Sequence, residues 1–179
     1  MNDTSNTTGA TDLHQEITLL EENLHRQLKA HRQLLACIER NREAIRRADM
    51  KQIRSICEQE NTVAQHLAEL EKVRLVLVGR VTERLEPDAG QPVSMGRIAE
   101  ALDRPAAGRF EALAAQLRAM IKEVRTASAV VRTAADALAR HMGGLLQTVH
   151  SALGRAKVYG RRGMLVTGEQ NQFCLDIKS

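Results

Sequence analysis

The segment PDAGQPVSMGRIAEALDRP, residues 87–105, decides the fold because it contains all three prolines of the chain together with two glycines. Proline lacks the backbone N–H that a helix interior needs, and helices usually end before the residue that precedes a proline. We therefore predict a linker at residues 86–106 in an otherwise helical chain. Inside this linker, a short helix is expected from Ser94, its N-cap, to Leu102.

The residues before the linker predict an antiparallel hairpin of two long helices over residues 12–85. Apolar residues recur there at every third or fourth position, in one stripe that ends at Ile45 and a second that starts at Ile53. The phase changes at Asp49, a residue type that caps helix N-termini, so we place a tight turn near residue 48. An unbroken helix through Asp49 is the alternative. Residues 1–11 are polar and are predicted to be disordered.

The residues after the linker predict one long helix over residues 107–158. Its apolar positions follow a heptad seam from Phe110 to Ala152. Such a helix is roughly 75 Å long at 1.5 Å per residue, which is typical of a coiled-coil bundle. The predicted fold class is therefore all-α, an antiparallel long-helix hairpin with a third long helix packed along it. A flexible basic tail follows at residues 159–179, with a short strand at Phe173–Ile177.

Motifs and apolar runs argue against enzymatic, metal-binding and membrane-spanning proteins. No apolar run approaches the roughly 20 residues of a membrane span, and the polar N-terminus lacks the features of a secretory signal. We therefore expect a cytoplasmic chain without membrane insertion. The three cysteines lack CxxC spacing, the six histidines lack the spacing of helical metal ligands, and catalytic or cofactor motifs are missing. We expect no catalytic residue, no metal and no cofactor.

Residues 94–104 are the best sequence indication of DNA binding, because they resemble the first helix of a helix-turn-helix. The following turn does not fit, since it leads into a very long helix whose start carries few cations. The net charge of +4 is matched by four cations near the C-terminus, Arg155, Lys157, Arg161 and Arg162. We therefore expect no nucleic-acid partner, and a DNA-associated regulator stays an alternative function.

The order of the predicted elements and three local stretches resemble the FlgN family of flagellar export chaperones. Residues 44–53 resemble the turn between the family's first two helices, and residues 67–74 resemble its leucine-rich stretch. Val158–Gly163 matches its Tyr-Gly-x-x-Gly close. The likeness covers most of the chain. The Asn-x-x-Asn pair that family members often carry before the tyrosine is missing near Ser128–Val131, so the contacts made by those asparagines are not carried over.

The resemblance implies a cytoplasmic chaperone of the flagellar type III pathway. Such a chaperone binds the C-terminal amphipathic helices of the hook-filament junction proteins, prevents their premature assembly and delivers them to the export gate. The resemblance also implies that the segment around Tyr159, with its neighbours Arg161 and Arg162, contacts the export-gate protein.

An apolar face wider than one heptad seam lies along the last predicted helix, because Leu146 lies beside Leu145. A face of this width can serve a client helix that docks in a groove. The predicted partner-binding residues form what we call the apolar stripe: Leu138, Met142, Leu145, Leu146, Val149 and Leu153. Two alternatives stay open, a buried face in a three-helix bundle and the interface of a homo-oligomeric coiled-coil scaffold. The run Val73–Val78 is apolar on nearly all sides, which predicts burial.

Overall fold

A computed structural model of the protein describes residues 4–158, with side-chain surroundings for residues 12–153. Four helices follow one another: α1 at Thr4–Arg46, α2 at Met50–Leu85, α3 at Met95–Glu100 and α4 at Arg104–Val158. The predicted all-α class is confirmed, and residues 4–158 contain no strand. The strand predicted at Phe173–Ile177 and the predicted tail lie outside the described residues.

The chain divides into two compact units, Met1–Ala134 and Ala135–Ser179. The first unit contains α1, α2, α3 and the first part of α4, and the second contains the remainder of α4. The core of the first unit is formed by all four of its helices. Its largest fully buried side chains are Leu20, Leu24, Val81, Ile98 and Phe110.

The hairpin turn lies where it is predicted, and the alternative of an unbroken helix is wrong. The N–H of Asp49 donates to the carbonyl of Ala44 at 3.0 Å, and the N–H of Ala48 donates to the carbonyl of Ile45 at 3.0 Å. This pair of bonds is the Schellman motif, which ends α1. Ala48 takes the left-handed conformation with φ of 52°. Asp49 then caps α2, since its side chain accepts the N–H of Gln52 at 3.0 Å.

The linker contains a short helix that packs on the hairpin, and ion pairs join the residues on either side of this helix. Ser94 caps α3 as predicted, because its hydroxyl accepts the N–H of Arg97 at 3.2 Å. Arg97 in turn donates to Glu86 at 2.6 Å and to Glu100 at 2.9 Å. The inner side of α3 contributes the fully buried Ile98 to the core. The linker is therefore an ordered element of the first unit.

Two element boundaries differ from the predicted ones. The first helix begins at Thr4, inside the segment 1–11 predicted to be disordered. Residues 4–11 contain no proline, so no residue in this segment excludes a helix. The last helix begins at Arg104 rather than at residue 107. Pro105 lies in its first turn, where a missing N–H does no harm, and Asp103 accepts the N–H of Ala106 at 3.2 Å.

Candidate partner-binding surfaces

The apolar stripe lies in the second unit, on the last part of α4, and it faces solvent. Leu138 is half-buried, and every residue from Ala139 to Leu153 is exposed. The large apolar side chains of the stripe expose between 41% and 65% of their surface: Met142, Leu145, Leu146, Val149 and Leu153. The alternative that these side chains form the core of a three-helix bundle is therefore wrong for this chain.

The heptad pattern runs along the whole of α4, but only the first part of this helix is buried. Phe110, Leu113 and Leu117 occupy the same seam near the start of α4 and lie in the core of the first unit. The seam positions of the second unit follow the same spacing of three and four residues. Large apolar side chains that stay exposed at such spacing make this part of α4 a candidate surface for a partner helix.

No carboxylate lies along or directly after the apolar stripe. From Ala137 to Gly168 the sequence contains no aspartate or glutamate. Among the described side chains, His141 and His150 are exposed on either side of the stripe. The stripe therefore presents no carboxylate that would repel acidic residues on the flanks of an amphipathic helix.

The residues predicted to dock at the export gate, Tyr159, Arg161 and Arg162, lie outside the described residues. Helix α4 ends at Val158, immediately before them.

A second exposed apolar surface lies on α2, where burial was predicted. Of the run Val73–Val78, Leu77 and Val78 are buried, whereas Val73, Leu75 and Val76 expose about half of their surface. The prediction of burial is wrong because the core of the first unit packs against one side of α2, and the other sides face solvent. The exposed Leu19 of α1 lines a furrow of about 190 Å³ together with Val73 and Leu77.

Residues 94–104 do not form a helix-turn-helix reader of DNA. Helix α3 has six residues, and its Ile98 and Ala99 are buried in the core. The guanidinium of Arg97 is bound to two carboxylates, so it is neutralised rather than offered to phosphate. This segment therefore packs together with α2 and α4 in the core of the first unit.

A polar network that is buried at Asn23 and Gln27 and partly exposed at Glu71 links the two arms of the hairpin. The side-chain amide of Asn23 donates to the carbonyl of Leu70 at 3.2 Å. Gln27 donates to Asn23 and to Glu71, at 3.2 and 3.3 Å. The guanidinium of Arg74 binds both carboxylate oxygens of Glu71, at 2.7 and 2.6 Å. Hydrogen bonding from Arg74 lowers the pKa of the Glu71 carboxyl below its ordinary value.

The described part of the chain offers neither a grouped set of metal ligands nor a membrane span. Within residues 12–153, no three His, Cys, Asp or Glu side chains are grouped so that they could hold a metal ion. None of the helices in residues 4–158 combines the length and the apolar character of a membrane span.

Comparison with known proteins identifies the family. A family model described as FlgN protein matches residues 16–167, which include nearly all of the four helices and the whole apolar stripe. Neither curated proteins nor solved structures give a match to the chain. The match covers most of the chain, so the protein belongs to the FlgN family of flagellar export chaperones.

Proposed function

We propose that this protein is a cytoplasmic export chaperone that binds the C-terminal amphipathic helices of flagellar hook-filament junction proteins. It prevents their premature assembly and delivers them to the type III export gate. One observation carries the proposal: five large apolar side chains stand exposed at helical spacing within the twelve residues from Met142 to Leu153. This surface has the shape and the chemistry that an amphipathic helix buries.

The composition of the stripe suits more than one client. Met142 has a flexible, polarizable side chain that adapts to different partners. Gly143 and Gly144 each weaken the helix by about 1 kcal/mol relative to alanine. Apart from the adjoining residues and the backbone of α4 itself, no described atom lies within 4 Å of an added Cβ at either glycine. A client helix that packs on this part of α4 would therefore stabilise it as well as being masked by it.

The second part of the proposal concerns delivery. The segment that follows α4 carries Tyr159, Arg161 and Arg162, and we assign to it the contact with the export-gate protein. An aromatic side chain among cations is a common anchor in protein interfaces. This arrangement assigns client binding to α4 and docking at the gate to the segment that follows α4 in the sequence.

The test uses a substitution on the stripe and a matched one beside it. Leu146→Asp places a charge at the most exposed apolar position, 65% exposed. Gln147→Asp adds the same carboxylate at the next residue, about 160° around the helix from Val149. Each variant is mixed with the C-terminal helical segment of a hook-filament junction protein from the same genome. Complex formation is measured by size-exclusion chromatography with light scattering, and helicity by circular dichroism.

We expect the wild type and Gln147→Asp to form a discrete complex and Leu146→Asp to form none, while all three stay helical. Retained binding by Leu146→Asp would show that the stripe is not the client surface. Loss of helicity in that variant would also count against a client surface at this position. A wild type that stays free in the mixture would remove the proposed client.

A further inference from the structure

Helix α2 carries a second set of residues at heptad spacing on the side that faces solvent. Six residues that are spaced alternately by three and four positions form it, and all six are exposed. We call this set the outer seam: His66, Glu69, Val73, Val76, Arg80 and Glu83. The inner side of α2 has its own seam, which includes the buried Leu70, Leu77 and Val81. A helix with two such sets can pack against two neighbours, and within residues 12–153 the outer seam stays exposed.

The centre of the outer seam is apolar and its ends are charged. Val73 and Val76 expose 49% and 55% of their surface. A furrow of about 280 Å³ runs beside them and is bordered by Lys72 and Arg80. The exposed Leu19 of α1 lies on the other side of Val73, where it widens the apolar centre.

We propose that the outer seam binds the same seam of a second copy of this chain, in antiparallel orientation about a two-fold axis. In an antiparallel helix pair, each a position of one helix faces a d position of the other. In the register that centres the valines, Val73 of one copy faces Val76 of the other. Glu69 then faces Arg80, and His66 faces Glu83. Because the axis is two-fold, each of these layers occurs twice.

The charges select both the partner and its orientation. In the antiparallel register every layer joins two apolar side chains or an acidic side chain with a basic one or a histidine. In a parallel pair each residue would face itself, so Glu69, Arg80 and Glu83 would each meet a like charge, which is unfavourable. A second copy in antiparallel orientation therefore satisfies the whole pattern.

The charged groups of the outer seam are available for such contacts. Among the side chains of residues 12–153, no ion pair involves Arg80, Glu83 or His66. Glu69 lies 2.8 Å from Lys72, but both side chains are about 70% exposed, and an exposed pair of this kind contributes little and rearranges readily.

The apolar centre of this dimer is small, because it consists of the two layers in which Val73 faces Val76. The dimer therefore belongs to the weak class of interfaces. The inference is independent of the proposed chaperone function, because the outer seam lies on α2 and the apolar stripe lies on α4.

The test is a charge swap within one chain. Self-association of the full-length protein is measured by sedimentation velocity at low salt, from about 10 µM to about 1 mM. We expect a monomer–dimer equilibrium that salt weakens. Arg80→Glu should weaken it at least about tenfold, because Glu69 then faces a carboxylate in two layers. The double variant Glu69→Arg with Arg80→Glu restores opposite charges and should restore the dimer. Arg54→Glu, an exposed position of α2 outside the seam, is the matched control and should behave as wild type.

A protein that stays monomeric at about 1 mM would overturn the inference. So would a double variant that is helical by circular dichroism but fails to recover the dimer.

Disulfide trapping checks the register separately. In a background with Cys57→Ser and Cys174→Ser, chains with Val73→Cys are mixed with chains with Val76→Cys and oxidised. The antiparallel register predicts that the mixed disulfide dominates. Dominant disulfides between identical chains would indicate the parallel arrangement and contradict the inference.

Discussion

The backbone N–H of Val93 donates a buried hydrogen bond to the hydroxyl of Thr82, at 3.0 Å, and so joins the linker to α2. The same hydroxyl donates to the carbonyl of Val78 at 2.7 Å. Thr82 therefore serves as acceptor for the linker and as donor within its own helix. Because both groups are buried, neither bond can be replaced by bulk water, and Thr82 adds a polar contact to the apolar packing of the linker on α2.

Thr82→Val should destabilise the protein by about 1–3 kcal/mol, because the isosteric side chain leaves the N–H of Val93 buried without a partner. The measurement is urea unfolding followed by circular dichroism. Thr133→Val is the matched control, since the exposed Thr133 bonds only within α4, and it should change stability by less than about 0.5 kcal/mol. Equal effects of the two substitutions would contradict the structural role of Thr82.

Ala48→Gly should stabilise the protein by about 0.5–1 kcal/mol, because a side chain in the left-handed conformation is strained and glycine relieves this strain. Ala64→Gly, at an exposed position inside α2, should have the opposite sign and destabilise by about 0.5–1 kcal/mol. Thermal unfolding of the two variants and the wild type measures whether each substitution raises or lowers the stability. A loss of stability in Ala48→Gly would refute the turn geometry.

The ion pair of Glu71 with Arg74 should make the stability depend on acid pH. Hydrogen bonds from Arg74 lower the pKa of Glu71 in the folded state. A lowered pKa contributes stability that is fully present above the unfolded value, about 4.3, and is lost as the pH falls through the folded value. Glu71→Gln should therefore be less stable than the wild type at pH 7.

The difference in stability between the wild type and Glu71→Gln should shrink as the pH falls below the unfolded value, about 4.3, and through the lowered pKa of Glu71. Urea unfolding at a series of pH values measures it, with the exposed Glu58→Gln as control. Glu71 is partly exposed, so solvent screening keeps the effect modest. A difference that is the same at all pH values would show that Glu71 acts through packing rather than charge.

Tyr159→Ala should leave client binding intact and abolish secretion of the client, because the proposed division assigns Tyr159 to the export gate. Complex formation is measured with purified proteins, and secretion is measured as client in the culture medium. Phe173→Ala, at the other aromatic residue that follows α4 in the sequence, is the control and should allow normal secretion of the client. Loss of client binding in Tyr159→Ala would refute the division between the two surfaces.

Local signals in the sequence predicted the elements well. The phase change at Asp49 located the hairpin turn, and Ser94 located the start of α3, because a cap and a turn depend on a few neighbouring residues. Pro105 misled the prediction of the start of α4. A proline is not tolerated in the interior of a helix, but it fits the first turn. The capping residue Asp103 starts α4 just before Pro105 and so places this proline in the first turn.

By itself, the sequence determined that the chain forms long helices and which apolar residues share one side of each helix, because helical period depends on spacing alone. Only the tertiary structure decided which of those sides has a neighbour. Phe110 and Leu146 belong to one continuous apolar pattern, yet Phe110 is fully buried and Leu146 is 65% exposed. Val73 and Leu77 differ in the same way within four residues of α2. Burial requires a second helix at the right place, and that place is set by the packing of the whole first unit.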